Sequence, residues 1–137
     1  MSIEANKEVV RRFNLEVIQN GNAESFRELM APDFVNRTAH PGMPSGPESM
    51  WNTFQNVLRP ALSGLTVVIH EQIAEKDLVT TRKTISGIHT GPLLGIAATG
   101  KAVEIAVIDI VRVRGGQYVE HWGINTLQSL LEHLKLS

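Results

Sequence analysis

The stretch VEIAVIDIVRVRGGQYVEHWGI, residues 103–124, decides the fold. From Val103 to Val113 apolar side chains recur at alternate positions, which is the period of a strand and not of a helix. Gly115-Gly116 permits positive φ, so the chain turns there in a hairpin and returns as a second strand, Tyr118–Ile124. The same period extends upstream. Leu65, Val67 and Ile69 alternate with Thr66, Val68 and His70, Glu75-Lys76-Asp77 makes a turn, and Leu78–His89 follows as a further strand. Gly91-Pro92 then opens a loop lasting to Gly100-Lys101. Four strands joined in sequence form an antiparallel meander.

The first half has the helical period instead. Val9, Val10, Phe13, Val17 and Ile18 share one face of a helix that Asn20-Gly21 stops. Asn22 caps a second helix carrying Phe26, Leu29 and Met30, and Pro32 ends it. A short strand, Phe34-Val35, follows. Three prolines and two glycines between Arg37 and Pro47 mark a loop. Ser45 and Glu48 have the spacing of a capping box for a third helix with Trp51, Phe54, Val57 and Leu58, which stops before Pro60. Leu127, Leu130, Leu131 and Leu134 give a closing amphipathic helix. The order ααβαββββα is that of one α+β domain over residues 1–137, with helices gathered on the concave face of a curved antiparallel sheet and enclosing a hydrophobic pocket.

Composition narrows the function. Thirteen Lys and Arg against fourteen Asp and Glu leave a net charge of −1, with no basic footprint for phosphate backbones or anionic membranes. Neither nucleic acid nor a membrane is an expected partner. No apolar run approaches the roughly 20 residues of a spanning helix, and MSIEANKEVVRRF lacks a signal-peptide apolar region, so a cytoplasmic protein is expected. The absence of cysteine excludes disulfides, thiolate zinc sites, iron–sulfur clusters and cysteine nucleophiles. Histidines 40, 70, 89, 121 and 133 have neither HxH nor HExxH spacing, so no metal is expected, although His40, His89 and His121 lie on segments that a fold could bring together. There is no GxSxG elbow, phosphate loop or dinucleotide fingerprint, and no cofactor is implied.

What remains is acid–base chemistry by side chains in an apolar pocket. Asp109 is an ionisable residue on the same face as Val107 and Val111; it is either a catalytic acid or base, or the partner of a nearby arginine such as Arg112 or Arg82. On the last strand Glu120 and Trp122 share one face and His121 takes the other, so only one set faces the pocket. Trp51 fits core packing and a ligand platform alike. His40 lies in the loop expected at the pocket mouth, and His89 at a strand end before Gly91-Pro92; both are candidate proton carriers. On the opposite sheet face Ala106, Ile108 and Ile110 are apolar where solvent should meet polar side chains, which predicts a homodimer or higher homo-oligomer.

Gly87-Ile88-His89-Thr90-Gly91-Pro92-Leu93-Leu94-Gly95-Ile96, leading to Thr99-Gly100-Lys101, resembles a stretch of the SnoaL-like polyketide cyclases, within the NTF2-like superfamily. So do Asp109-Ile110-Val111-Arg112-Val113 and Val119-Glu120-His121-Trp122, and more loosely Asn36–His40 with Pro41 and Gly46-Pro47-Glu48. The resemblance implies a cone-shaped α+β barrel around a deep hydrophobic pocket. It also implies cofactor-free ring closure by intramolecular aldol condensation. Ketosteroid isomerase, of the same superfamily, uses an Asp base and an oxyanion hole in such a cavity. In the cyclases the base is an acidic residue shortly after the E-H-W segment, and the matching positions here are Gly123-Ile124-Asn125-Thr126. An amide at Asn125 can bind a substrate oxygen but cannot serve as a base. The catalytic candidates are therefore Asp109, His40 and His89, with Trp51, Glu120, Trp122 and Asn125 expected to bind the ligand. Two functions fit: an enzyme of cyclase, isomerase or dehydratase type acting on a small apolar carbonyl compound, and a non-catalytic protein that binds a small hydrophobic molecule.

Overall fold

The computed structural model describes residues 2–136. The first helix, α1 (Ile3–Arg12), starts where the Ser2 hydroxyl accepts the Ala5 N–H at 3.0 Å. It continues without a break through Phe13–Gln19, where the turns widen to i→i−5 bonding. Val10, Phe13, Val17 and Ile18 form its buried face, as their spacing predicts, and Gly21 at φ 67° closes it. The Asn22 side chain accepts from the N–H groups of Glu24 and Ser25 and so caps α2 (Ala23–Leu29).

The next strand, β1 (Met30–Asn36), is longer than the expected Phe34-Val35. Pro32 lies inside it. A proline without an N–H is tolerated there because β1 is an edge strand and its register shifts between Met30 and Val35. The helical stretch after the loop runs as α3 (Pro47–Trp51), a second widened segment Asn52–Leu58, and α4 (Arg59–Ala61). Two expectations are corrected here. Ser45 and Glu48 form no capping box: Gly46 is the cap residue, with Pro47 at the first turn and no side-chain cap bond, while the Ser49 hydroxyl donates to the Gly46 carbonyl at 2.6 Å. The helix also passes Pro60 and ends at Ala61, whose carbonyl accepts from the N–H groups of Thr90 and Gly91.

The remaining strands are β2 (Leu62–Glu75), β3 (Leu78–His89), β4 (Ala102–Arg114) and β5 (Gln117–Asn125), and α5 (Leu127–Lys135) closes the chain. They form the antiparallel meander read from the sequence, in the order β1-β5-β4-β3-β2. The mixed α+β fold with a curved sheet stands, with two corrections. Strand β1 adds to β5 in parallel, and the sheet does not close into a barrel, since β1 and β2 remain edges. Alternation splits the sheet cleanly. Val79, Ile85, Val103, Ile105, Val111 and Val113 pack against the helical layer, and the Phe13 ring stacks on Tyr118 at 4.2 Å. No helix among the described residues is long and apolar enough to cross a membrane.

Gly91 ties the loop after β3 to the end of α4. A Cβ there would run into the Pro60 carbonyl oxygen, a backbone atom with nowhere to move. Gly91→Ala is expected to destabilise the protein by about 2 kcal/mol or more in urea unfolding, against less than about 0.5 kcal/mol for Glu104→Gln at an exposed strand position.

Candidate active site

Between the third helix, the loop after β1 and the inner face of the sheet lies a cavity of about 710 Å³. Its walls are largely apolar, with Met43, Met50, Trp51, Phe54, Ile105 and Val107 among them. Its most buried polar groups are Lys83 and Asp109, 3% and 5% exposed. The strand register brings them together. Asp109 pairs across the ladder with Thr81 on one side and Gly123 on the other, so Lys83 and His121 are its diagonal neighbours.

Lys83 Nζ donates to Asp109 Oδ2 at 3.1 Å and to Asn14 Oδ1 at 2.6 Å. The Asn14 amide is oriented at its other end as well, since its Nδ2 donates to the Val10 carbonyl at 2.9 Å. On the far side His121 Nε2 stands 3.4 Å from Asp109 Oδ2. The ring reaches there because Gly123 has no side chain: a Cβ at 123 would lie 2.9 Å from His121 Cε1. His121 Nδ1 is 3.1 Å from Asn36 Oδ1, which also accepts the Thr38 N–H at 3.3 Å. An oxygen fixed as acceptor in this way calls for a proton on His121 Nδ1, and a hydrogen bond from Nε2 to the Asp109 carboxylate calls for a second proton on the same ring. Burial pushes the Asp109 carboxyl up, but the Lys83 charge and then the His121 hydrogen bond outweigh it and hold it below its ordinary value. Its Oδ1, also buried, makes no hydrogen bond among the described residues.

The sequence candidates divide accordingly. Asp109 lines the cavity, but its partner is Lys83 and not an arginine. Alternation turns Arg82 and Arg112 outward, where Arg82 pairs with Glu71 and Arg112 with Glu120 and Asp77. Glu120 and Trp122 do not line the cavity: they lie on the outer face, Glu120 between Arg37 and Arg112, because His121 takes the inner side. His89 is wholly buried but outside the cavity, its Nδ1 2.9 Å from the Thr99 hydroxyl, where it holds the loop after β3. His40 lines the mouth, exposed and without a bond to the Asp109 cluster. His40, His89 and His121 therefore do not converge, and no cluster of three metal-ligating side chains occurs among the described residues. Trp51 lines the wall with its ring 4.9 Å from that of Phe26. Asn125 also lines the cavity, though its side-chain oxygen accepts the Leu127 N–H at the start of α5. Sequence reasoning missed Lys83. Its signal was parity: a lysine between Thr81 and Ile85 on the inward face of a strand.

The chain belongs to the SnoaL-like polyketide cyclase family, whose model matches residues 8–134. It is similar to IdmH of Streptomyces antibioticus, described as a candidate polyketide cyclase, at 28% identity and a TM-score of 0.81, over 95% of this chain and 98% of that one. TsrD from Streptomyces laurentii is 22% identical with a TM-score of 0.84, over 98% of this chain and 97% of that one. AclR of Streptomyces galilaeus, described as a candidate hydroxylase, is 22% identical with a TM-score of 0.85, over 99% of this chain and 84% of that one. The last two likenesses concern the fold. No curated protein matches the chain significantly.

Removing one member of the buried pair strands the other charge. Lys83→Met and Asp109→Leu are each expected to cost about 3–5 kcal/mol of unfolding free energy, and the double variant to recover most of that loss. Urea unfolding of the four proteins measures the coupling; a double variant as unstable as the sum of the singles contradicts it. The sign with pH follows from the lowered Asp109 value. The charged pair stabilises the fold above the ordinary carboxyl value of 3.8, and this contribution is lost as pH falls through the lower folded value. The melting temperature should therefore drop more steeply below about pH 4 in the native protein than in the double variant.

Proposed function

We propose that the protein is an enzyme that moves a proton at a carbon next to a carbonyl group, in a small, mostly apolar compound bound in the cavity, by cyclase-, isomerase- or dehydratase-type chemistry. The observation that carries this reading is the Asp109 carboxylate: buried, held ionised by Lys83, lining the cavity, and with Oδ1 unengaged. The carboxylate takes the proton from carbon, the C–H electron pair moves into the carbonyl to give an enolate, and the proton returns to carbon or to a leaving oxygen. His121, sharing Oδ2, is the group through which that proton can exchange. The resemblance places the base on the last strand just after E-H-W; here Asp109 stands opposite Gly123, one strand over. His40, at the mouth and apart from the cluster, has no part in the proton transfer.

A second reading, a protein that binds a small hydrophobic molecule without turning it over, is favoured by the same ion pair, since a carboxylate lowered by Lys83 is a weaker base. Deuterium uptake at the α-carbon of 2-tetralone, followed by NMR in D2O, separates the two. The enzyme reading expects uptake above the buffer rate, at least about 100-fold slower in Asp109→Asn and changed less than about 3-fold in His40→Ala. Binding of 2-tetralone with uptake at the buffer rate would favour the second.

We also propose a homodimer through the outer sheet face. Ile108 and Ile124 sit opposite each other there, 43% and 70% exposed, with Ile110 beside Trp122 in the next ladder pair. Light scattering is expected to give twice 15.1 kDa, and Ile108→Lys with Ile124→Lys to shift it to the monomer; a native protein at 15.1 kDa contradicts the pairing.

A further inference from the structure

His89 is a buried titratable group that the proton transfer at Asp109 does not use. It ends β3, outside the cavity, and is wholly buried. Its hydrogen bonds fix its protonation. The Thr99 backbone N–H donates to His89 Nδ1 at 3.3 Å, and a backbone N–H can only donate. The Thr99 hydroxyl, 2.9 Å from the same nitrogen, accepts the Lys101 N–H at 3.3 Å and turns its own proton to the ring. Nδ1 is therefore an acceptor, and the ring is neutral with its proton on Nε2. Nε2 is buried and meets no partner, so neither nitrogen faces a carboxylate among the described residues. The charged groups on the elements around the ring offer no counter-ion. Arg59 on α4 is engaged with Gln55 and with the carbonyls of Ile18 and Gln19. Lys101 at the loop end is a second cation, exposed, and Glu104 on β4 is exposed as well. On β2, whose Leu62 pairs with His89, no residue titrates before His70, which bonds to Thr84. On β3 itself the nearest charge, Lys83, is bonded to Asn14 and Asp109.

The ring fastens the loop between β3 and β4. At the base of that loop the His89 N–H donates to the Lys101 carbonyl and the Gly100 N–H to the His89 carbonyl, both at 2.8 Å. Just beyond, the N–H groups of Thr90 and Gly91 donate to the Ala61 carbonyl at 3.0 and 3.2 Å. Ala61 ends the helical stretch whose Trp51, Phe54 and Leu58 line the cavity. We propose that His89 is a pH-operated latch: the neutral ring holds the loop against the end of that stretch, and a second proton on the ring lets the loop go. A proton on Nδ1 sets an N–H against the Thr99 N–H, removes the acceptor that ties position 99 to the strand, and buries a cation with no carboxylate beside it. The second proton is therefore taken up with the loop open, where water solvates the ring. An imidazole in water takes up that proton near pH 6.5. The open form binds one proton more than the closed form, so acid favours opening, by about tenfold for each pH unit below that value. No other residue from Thr90 to Lys101 changes charge between pH 5 and 8, which leaves His89 to set the dependence.

Amide hydrogen exchange followed by NMR, with each rate referred to that of an unstructured amide at the same pH, reads the opening. The amides of Gly91, Thr99 and Gly100 report the loop, and those of Ile105 and Val111 on the central strand β4 report global unfolding. In the native protein the loop amides are expected to be less protected than the β4 amides at both pH 7.5 and pH 5, and to lose about 30-fold of their protection between the two. Loop protection that changes less than about 3-fold overturns the latch. So does a loop that exchanges at the β4 rate throughout, since the loop then opens only when the whole chain unfolds. His89→Asn places an oxygen where the ring has Nδ1, so it keeps an acceptor for the Thr99 N–H and does not titrate. Its loop protection should change less than about 3-fold over the same range, and a variant that keeps the native dependence overturns the proposal. Should His89→Asn fail to fold, the native comparison of loop and β4 amides decides alone.

Discussion

The rest of the structure is arranged around one costly contact, an ion pair between Lys83 and Asp109 shut away from water beside an apolar cavity. Two charges taken into a low-dielectric interior lose several kcal/mol of hydration each, and their attraction offsets this only if the remaining donors and acceptors are also met. The fold meets them from three directions. Asn14 comes from the helical layer, where the first helix has widened, and its amide is oriented by the Val10 carbonyl so that the oxygen faces the ammonium. Widened turns of this kind are frequent at functional sites. His121 comes from β5, and reaches the carboxylate because position 123 has no Cβ. Asn36, from the parallel edge strand, fixes the imidazole from behind. Elements that sequence separates by more than a hundred residues meet at one carboxylate.

How much of this was legible in the sequence follows from which interactions are periodic. The strands β2 to β5 and the faces of the first and last helices declare themselves by spacing, because burying one face of a regular element forces apolar residues into its period. The Asp109 anomaly was visible for the same reason, as a charge on an apolar face. Its partner was visible only as parity. Arg82 and Arg112 flank the right strands but have outward parity, whereas Lys83 is inward, and the choice requires the β3–β4 register, which no local pattern sets. The choice between His121 and the Glu120–Trp122 face was open for a similar reason: alternation allows either, and the parallel pairing of β1 against β5 comes with His121 inward and Glu120 clamped outside by Arg37 and Arg112. The unformed capping box shows the opposite failure. Ser45 and Glu48 have the right spacing, but Pro47 and Gly46 start the helix one residue later than that motif needs.

The family pattern gains a different meaning once the geometry is known. No acid stands at Gly123-Ile124-Asn125-Thr126, where the resemblance expects one, yet the cavity retains the buried, ionised carboxylate of Asp109, on the adjacent strand and across from Gly123. Side chains on neighbouring strands of one sheet face lie within about 5–8 Å of each other, so a carboxylate on β4 serves much the same space as one on β5. Asn125 is then free for a structural duty, and it takes one by accepting the first N–H of α5.

The ion pair bears on both readings of the site, and its two effects have opposite signs. Lys83 lowers the proton affinity of Asp109, which makes the carboxylate a weaker base toward a carbon acid. On the enzyme reading, the same ammonium, bonded to Asn14 and Asp109, can also meet a carbonyl oxygen on which negative charge appears when the carbon is deprotonated. In a dry cavity a charge placed where the enolate forms is worth more than in water and needs no rearrangement as the reaction proceeds. What the base loses in the ground state is therefore returned to the enolate, provided the carbonyl oxygen sits against Lys83 when the α-carbon sits against the Asp109 carboxylate. Binding the ligand with its oxygen anywhere else leaves only the loss, and the cavity then holds its ligand without changing it. On the two readings proposed for the site, that one oxygen position separates turnover from binding alone.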